Sequence, residues 1–224
     1  MKNISYYLRY FKIDSIIFLG SDSMAQTRIP LQKRSIEKKE KIVRMGFELM
    51  CNQGYYNTNT LEIAKYAGVS TGIVYQYFTD KKDIFIEGVK QYSQKIMFPI
   101  FTLITEQEKL PEDLKGFFKK IIQLNKKQHT SSKRAHQEIT AMQHLDSDVE
   151  AIFKESELNF SNKLYMLLKN NGFEQDDLKE RTHLIVNLID SFAHEEAYHK
   201  HESFDYNRME DIVADTIIYI LKRS

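Results

Sequence analysis

The sequence predicts an all-α protein, with an N-terminal three-helix head of helix-turn-helix type and a larger helical body behind it. Three observations predict this. Only three prolines and eight glycines interrupt 224 residues rich in Leu, Ile, Lys and Glu, a composition that favours helix. From Phe98–Pro99 onward, apolar residues recur at helical spacing in several amphipathic segments. The stretch Thr60 to Phe78 reads as two short helices broken at Gly68, the second carrying polar and aromatic groups where it would meet DNA.

Each element has its own grounds. Residues 1–32 form an N-terminal extension outside the pattern, whose apolar patch Ile16–Leu19 is far too short to span a membrane. Met24 opens a stretch that looks like a more natural start. A first helix is expected over 35–53. Asn59 and Glu62 have capping-box spacing before the second helix, which buries Ile63, Ala64 and Ala67. Gly68 can take the left-handed conformation that turns the chain, Val69 plugs the turn and Ser70 is placed to cap the third helix. Ile73, Val74 and Phe78 then face inward, leaving Thr71, Gly72, Tyr75, Gln76 and Tyr77 outward. An ordinary buried helical hairpin is the alternative, but outward aromatics need a partner. A connecting helix is expected from Lys81 to about Ile96, followed by helices at 112–127, 133–143, 147–169, 176–200 and 206–222. This divides the chain into a head, 33–80, and a body, 81–224.

Charge supports the division. Residues 24–95 hold twelve Lys and Arg against seven Asp and Glu (12 − 7 = +5), whereas residues 96–224 hold seventeen against twenty-two (17 − 22 = −5). A basic head on an acidic body suits binding to phosphates. The single Cys51 cannot form an intramolecular disulfide and fits a reducing cytosol. Gln76 is the candidate for base readout, since glutamine can pair bidentately with adenine. Lys33, Arg34, Lys38 and Lys39 form a basic run that suits either phosphate contact or a solvated helix face. No phosphate-binding glycine loop, nucleophile elbow or paired-cysteine motif is present. His194 and His199 stand five apart, so on a helix their rings diverge. His129, His136 and His144 fall near heptad spacing and suit a polar face or isolated pocket donors.

Ile42–Val43–Arg44–Met45–Gly46–Phe47–Glu48–Leu49–Met50, Gly54–Tyr55, Ile63–Ala64, Ala67–Gly68–Val69–Ser70, Gly72, Tyr75, Tyr77–Phe78 and Lys81 together resemble the TetR/AcrR family of transcriptional regulators. The resemblance runs from Ile42 to Phe85. Met45 and Gly46, where that family usually has alanines, and Met50, where it has phenylalanine, are departures that touch packing only. The resemblance implies DNA contacts through Thr60, Thr71, Gly72, Tyr75, Tyr77 and Lys81, with Ser70 and Gln76 beside them. Lys81 and nearby backbone amides are expected to share a phosphate.

It further implies a homodimer on palindromic double-stranded DNA, paired through the last two helices. Their stripes at helical spacing are Leu184, Ile185, Leu188, Ile189 and Phe192, and Ile212, Val213, Thr216, Ile217 and Ile220, which could alternatively close the monomer's own core. Ile185, Leu188, Ile189, Phe192, Ile217 and Ile220 are the expected interface residues. A pocket for a small apolar or amphipathic effector is implied among the central helices, with Phe101, Phe117, Met142, Phe160 and Tyr165 as lining. No cofactor, metal, catalytic group or membrane is implied. The function expected is a cytoplasmic, nucleoid-associated regulator, a repressor released from its operator by an effector. The alternatives are a TetR-like protein under a protein partner or acting architecturally, marked by a closed body, and a helical enzyme or metal sensor.

Overall fold

The computed structural model describes residues 33–106, 109–131 and 133–223, apart from the side chains of Ile96, Phe98 and Ser131. The N-terminal extension and the suggested start at Met24 lie outside the described residues. Among those described there are helices and no strands. They run α1 (Lys33–Gln53), α2 (Thr60–Ala67), α3 (Thr71–Tyr75), α4 (Lys81–Thr105), α5 (Leu114–Ser131), α6 (Lys133–Leu145), α7 (Ser147–Asn170), α8 (Leu178–Tyr198) and α9 (Tyr206–Lys222).

Local chemistry accounts for most of the helix ends. Asn59 and Glu62 form the full reciprocal capping box, each side chain accepting from the other's backbone N–H at 3.0 and 2.9 Å. Asp80, Asp146 and Asp205 cap α4, α7 and α9 by accepting from two amides each. Gly68 sits at φ 66°, ψ 38°, closing α2 as the sequence suggests. Ser70 departs from expectation: its side chain caps nothing, and only its carbonyl receives the amides of Ile73 and Val74.

α4 also departs. It does not stop near Ile96 but continues through Pro99 to Thr105. Proline cannot donate to the carbonyl four residues back, which normally ends or kinks a helix. Beyond it, however, Ile100 and Ile104 are buried in the body core, and that burial outweighs the lost hydrogen bond.

Two apolar clusters organise the chain. The body core gathers Phe118, Ile121, Leu164, Leu168, Ile185, Ile189 and Ile217 from α5, α7, α8 and α9. The head core gathers Ile42, Met50, Ile63, Val74 and Phe78, and is completed by Ile84, Phe85 and Val89 of α4. Ala135, Ile139 and Met142 of α6 and Val149 of α7 belong to this second cluster as well. Residues on both sides of position 80 thus share one packed interior.

Gly46 has a specific cause here. A Cβ at this position would stand 2.8 Å from Ile84 Cγ2 and 2.9 Å from Ile63 Cγ2, so the glycine lets α1 lie against α2 and α4. Both neighbours are β-branched, fully buried and slow to yield. Gly46→Ala is therefore expected to destabilise the fold by about 1–3 kcal/mol through overpacking, although alanine is the better helix former by about 1 kcal/mol. Urea unfolding measures the sign, and a stabilised variant would contradict this packing.

Candidate functional site

The exposed surface around α3 carries polar and aromatic groups on an apolar footing. Ile73 is half-buried and Val74 and Phe78 are buried against the head core, fixing the helix by its inner face. Thr60 and Thr71 are half-buried, while Ser70, Gly72, Tyr75 and Gln76 are exposed. Tyr75 leaves 54% of its surface open, with Tyr56 and Leu61 also exposed nearby in sequence. A Cβ added at Gly72 would meet nothing within 4 Å. The fold itself does not require glycine there, so any need for it comes from outside the chain.

Two expected contact residues sit differently. Tyr77 does not point outward: its ring is only 9% exposed, and its hydroxyl bonds Ser35 Oγ at 2.8 Å, tying α1 to the end of the motif. Lys81 is turned into the protein. Its Nζ donates to the carbonyls of Tyr55 and Thr58 at 2.7 and 2.8 Å and lies 4.5 Å from the Tyr55 ring centroid. The amides of Lys82 and Asp83 are likewise taken, both donating to the Asp80 carboxylate. The phosphate cradle expected at this helix start is filled by the protein's own groups. Of the basic run on α1, Lys33, Arg34 and Lys38 are exposed, whereas Lys39 lies over the Phe78 ring.

The head is seated on α6. Glu138 accepts the backbone N–H of Tyr55, and Lys82 pairs with Asp146 and Asp148 at 2.7 and 2.8 Å. Hydrogen bonds to Asp146 and Asp148 hold the Lys82 ammonium above its ordinary pKa, and Lys82 holds the Asp146 carboxyl below its own. Burial, with Glu138 and Glu48 nearby, pushes the Cys51 thiol up to about 12 and leaves it unreactive.

The opposite face of α6 meets a cavity of about 420 Å³ enclosed by α4, α5, α6, α7 and α8. His136, Thr140 and Gln143 line it, facing Met97, His129, Phe153, Phe160, Asp190 and His194. Of the five residues expected to line a pocket, only Phe160 does so. Phe117 is buried in the body core, Phe101 and Tyr165 pack against that core, and Met142 belongs to the head core. Helical spacing marks an inward face without saying whether a void or a side chain lies opposite.

The sequence spacing linked His129 and His136 with His144; the structure instead gathers His129, His136 and His194 from three helices, with ring centroids 4.9 to 5.8 Å apart. His144 is exposed elsewhere. The expected dimer residues also need correction. Ile185, Ile189, Phe192 and Ile217 are buried within the chain's own core, and Leu188 and Ile220 pack partly against it. The outward apolar residues on α8 and α9 are Leu184, Ile212 and Tyr219, 56, 56 and 63% exposed.

Residues 42–87 match the family model for bacterial regulatory proteins of the tetR family. The chain is 36% identical over 80 residues to the HTH-type transcriptional regulator HbdR of Aromatoleum sp. strain CIB, a match covering 36% of this chain and 31% of that one. It is 33% identical over 82 residues to the fatty acid metabolism regulator protein of Bacillus subtilis strain 168, covering 35% and 42%. The aligned stretches thus span less than half the length of these relatives. A solved structure of a TetR-family transcriptional regulator from Mesorhizobium loti superposes at a TM-score of 0.67 with 19% identity, covering 84% of this chain and 98% of that one. The likeness in fold therefore extends well beyond the head.

Two outcomes are expected. Lys81→Ala strips an ammonium from two carbonyls and should cost about 1.5–3 kcal/mol of folding stability, read by urea unfolding. Acid titration should also destabilise the fold. Burial, then the neighbouring His129 and His194, lower the pKa of His136 to about 4. An unfolded histidine takes its proton near pH 6.5, so protonation favours unfolding and stability is lost as pH falls from about 6.5 toward 4. Melting temperatures of His136→Gln should fall less steeply across that window than those of the parent.

Proposed function

We propose, for a chain that belongs to the TetR family of bacterial regulatory proteins through residues 42–87, that it is a dimeric, ligand-responsive transcriptional repressor and not an enzyme. The head inserts α3 into a major groove of a palindromic operator, where Gln76 reads bases. Thr60, Ser70, Thr71 and Tyr75 hold phosphates and sugar edges, and Gly72 admits close backbone approach. Lys81 serves this surface from behind, by holding the loop that precedes α2. Tyr77 does so by bracing the motif on α1 through Ser35.

The observation that carries the ligand-responsive reading is the bifacial α6. It buries Ala135, Ile139 and Met142 in the head core and turns His136, Thr140 and Gln143 to the cavity. A ligand that prefers one placement of α6 shifts the population of head placements, by as much as its affinity for the two differs. The cavity also argues against the runner-up, a partner-controlled or architectural protein with a closed body. The fatty acid metabolism named for one relative is not carried over to this chain, because that match spans 82 residues, 35% of it.

Dimer pairing falls to the exposed Leu184, Ile212 and Tyr219 of α8 and α9, beside the half-buried Leu188, which continue outward from the buried stripe. Among the described residues no helix is long and apolar enough to cross a membrane. A protein that acts on DNA in this way would work in the cytoplasm.

Three outcomes test this reading. Operator selection from random DNA should yield a palindrome, and Gln76→Ala should change the preferred bases at defined positions. Gly72→Ala should leave melting unchanged or raise stability by up to about 1 kcal/mol, yet weaken binding to that operator. The pair Leu184→Glu with Ile212→Glu should convert a dimer to a monomer by light scattering. Retention of the dimer would shift the interface elsewhere.

A further inference from the structure

We propose that the body cavity accepts an amphipathic amine bound as its ammonium ion, with the head held by the carboxylates of Asp190 and Glu157 and the hydrocarbon laid against Phe153, Phe160 and Val186. The proposal rests on reading this cavity as the effector site and names its ligand class.

Charge comes first. Among the described residues, no lysine or arginine lines the cavity, whereas Asp190 and Glu157 do. Asp190 lines the cavity from α8, next to the fully buried Ile189, and its side chain is 62% exposed. A fixed negative charge on a low-dielectric wall favours a cation over an anion or a neutral group.

The imidazoles favour the same ligand. His129 is only 8% exposed and its Nε2 donates to Asp190 Oδ1 at 3.1 Å. Hydrogen bonds from His129 and Asn125 offset the burial of the Asp190 carboxyl and hold its pKa below the ordinary value. The carboxylate can only accept, so Nε2 carries the proton. In the neutral ring this leaves Nδ1 as an acceptor, and Nδ1 is buried without a hydrogen-bond partner. Burial, with His129 beside them, keeps His136 and His194 below the ordinary histidine pKa, His136 at about 4. To hold a carboxylate, His136 would first have to take a proton against that lowering.

The rest of the wall selects amphipathic character. Phe153, Phe160, Met97 and Val186 form an apolar side. The size of the cavity falls within the range of small-molecule sites.

The test uses the full chain with octylamine, octanoate and 1-octanol, one tail with three heads, titrated calorimetrically at pH 7. Octylamine should bind at least about tenfold tighter than either of the others, as expected for one added charge pair in a shielded site. Asp190→Asn should remove most of that advantage and leave octanol unchanged. Glu157→Gln serves as a second variant should Asp190→Asn unfold. Equal or tighter octanoate binding, insensitivity to both substitutions, or no binding of any probe would overturn the proposal. Operator affinity, measured in parallel by anisotropy, separates the two readings. Octanoate binding that releases DNA sinks the amine and keeps ligand-released repression. Asp190-dependent octylamine binding with unaltered DNA affinity does the reverse.

Discussion

The loop from Gly54 to Asn59 is where head, connecting helix and body are joined, and it is held by groups from two other helices. Lys81, at the first turn of α4, takes two of its carbonyls, and Glu138 of α6 takes the Tyr55 amide. Backbone groups in a short loop that are shielded from water need such partners, or they cost roughly a hydrogen bond each. By supplying them from α4 and α6, the chain fixes where α2 begins, and so where α3 presents its outer surface. The loop also makes the head answerable to two helices that line the body cavity.

This arrangement gives a physical route between distant surfaces without a chain of special residues. α6 is rigid and two-sided, and a helix cannot rotate one face without carrying the other. The apolar seat of Ala135, Ile139 and Met142, and the Lys82 pair with Asp146 and Asp148, leave the head little freedom to ignore a displacement of α6. α4 contributes a second rigid link, continuous from Lys81 to Thr105 across Pro99.

What the sequence made legible was mostly local. The capping box at Asn59, the left-handed Gly68 and the inward set Ile63, Val74 and Phe78 depend on neighbours a few residues away, and periodicity placed most body helices within a few residues. The gaps are long-range. The acceptors of Lys81 stand 26 and 23 residues back, so no spacing rule announces that its ammonium turns inward. The histidine cluster draws on α5, α6 and α8, and only the packing of those helices shows that His194 replaces His144 in it. The apolar stripes on α8 and α9 were visible as stripes, but a stripe wide enough to reach both the core and the surface does not say where one ends. Ile185 and Ile217 fell inside, Leu184 and Ile212 outside. Pro99 misled because its local cost is fixed whereas the reward from Ile100 and Ile104 is tertiary.

The interior shared by α1 through α4 with α6 bears on how such a protein can be taken apart and rebuilt. A chimera cut at position 80, joining this head to the body of another protein of this fold, would inherit a core missing Ile84, Phe85, Val89, Ala135, Ile139 and Met142. The graft would expose that apolar floor and strand Tyr55 without its carboxylate acceptor. A working exchange would have to carry the inner face of α6 along with the head, which means rewriting one side of a helix while keeping the other side native to the host. The portable unit in this protein is thus a surface threaded through non-adjacent sequence, and its seam runs lengthwise down α6.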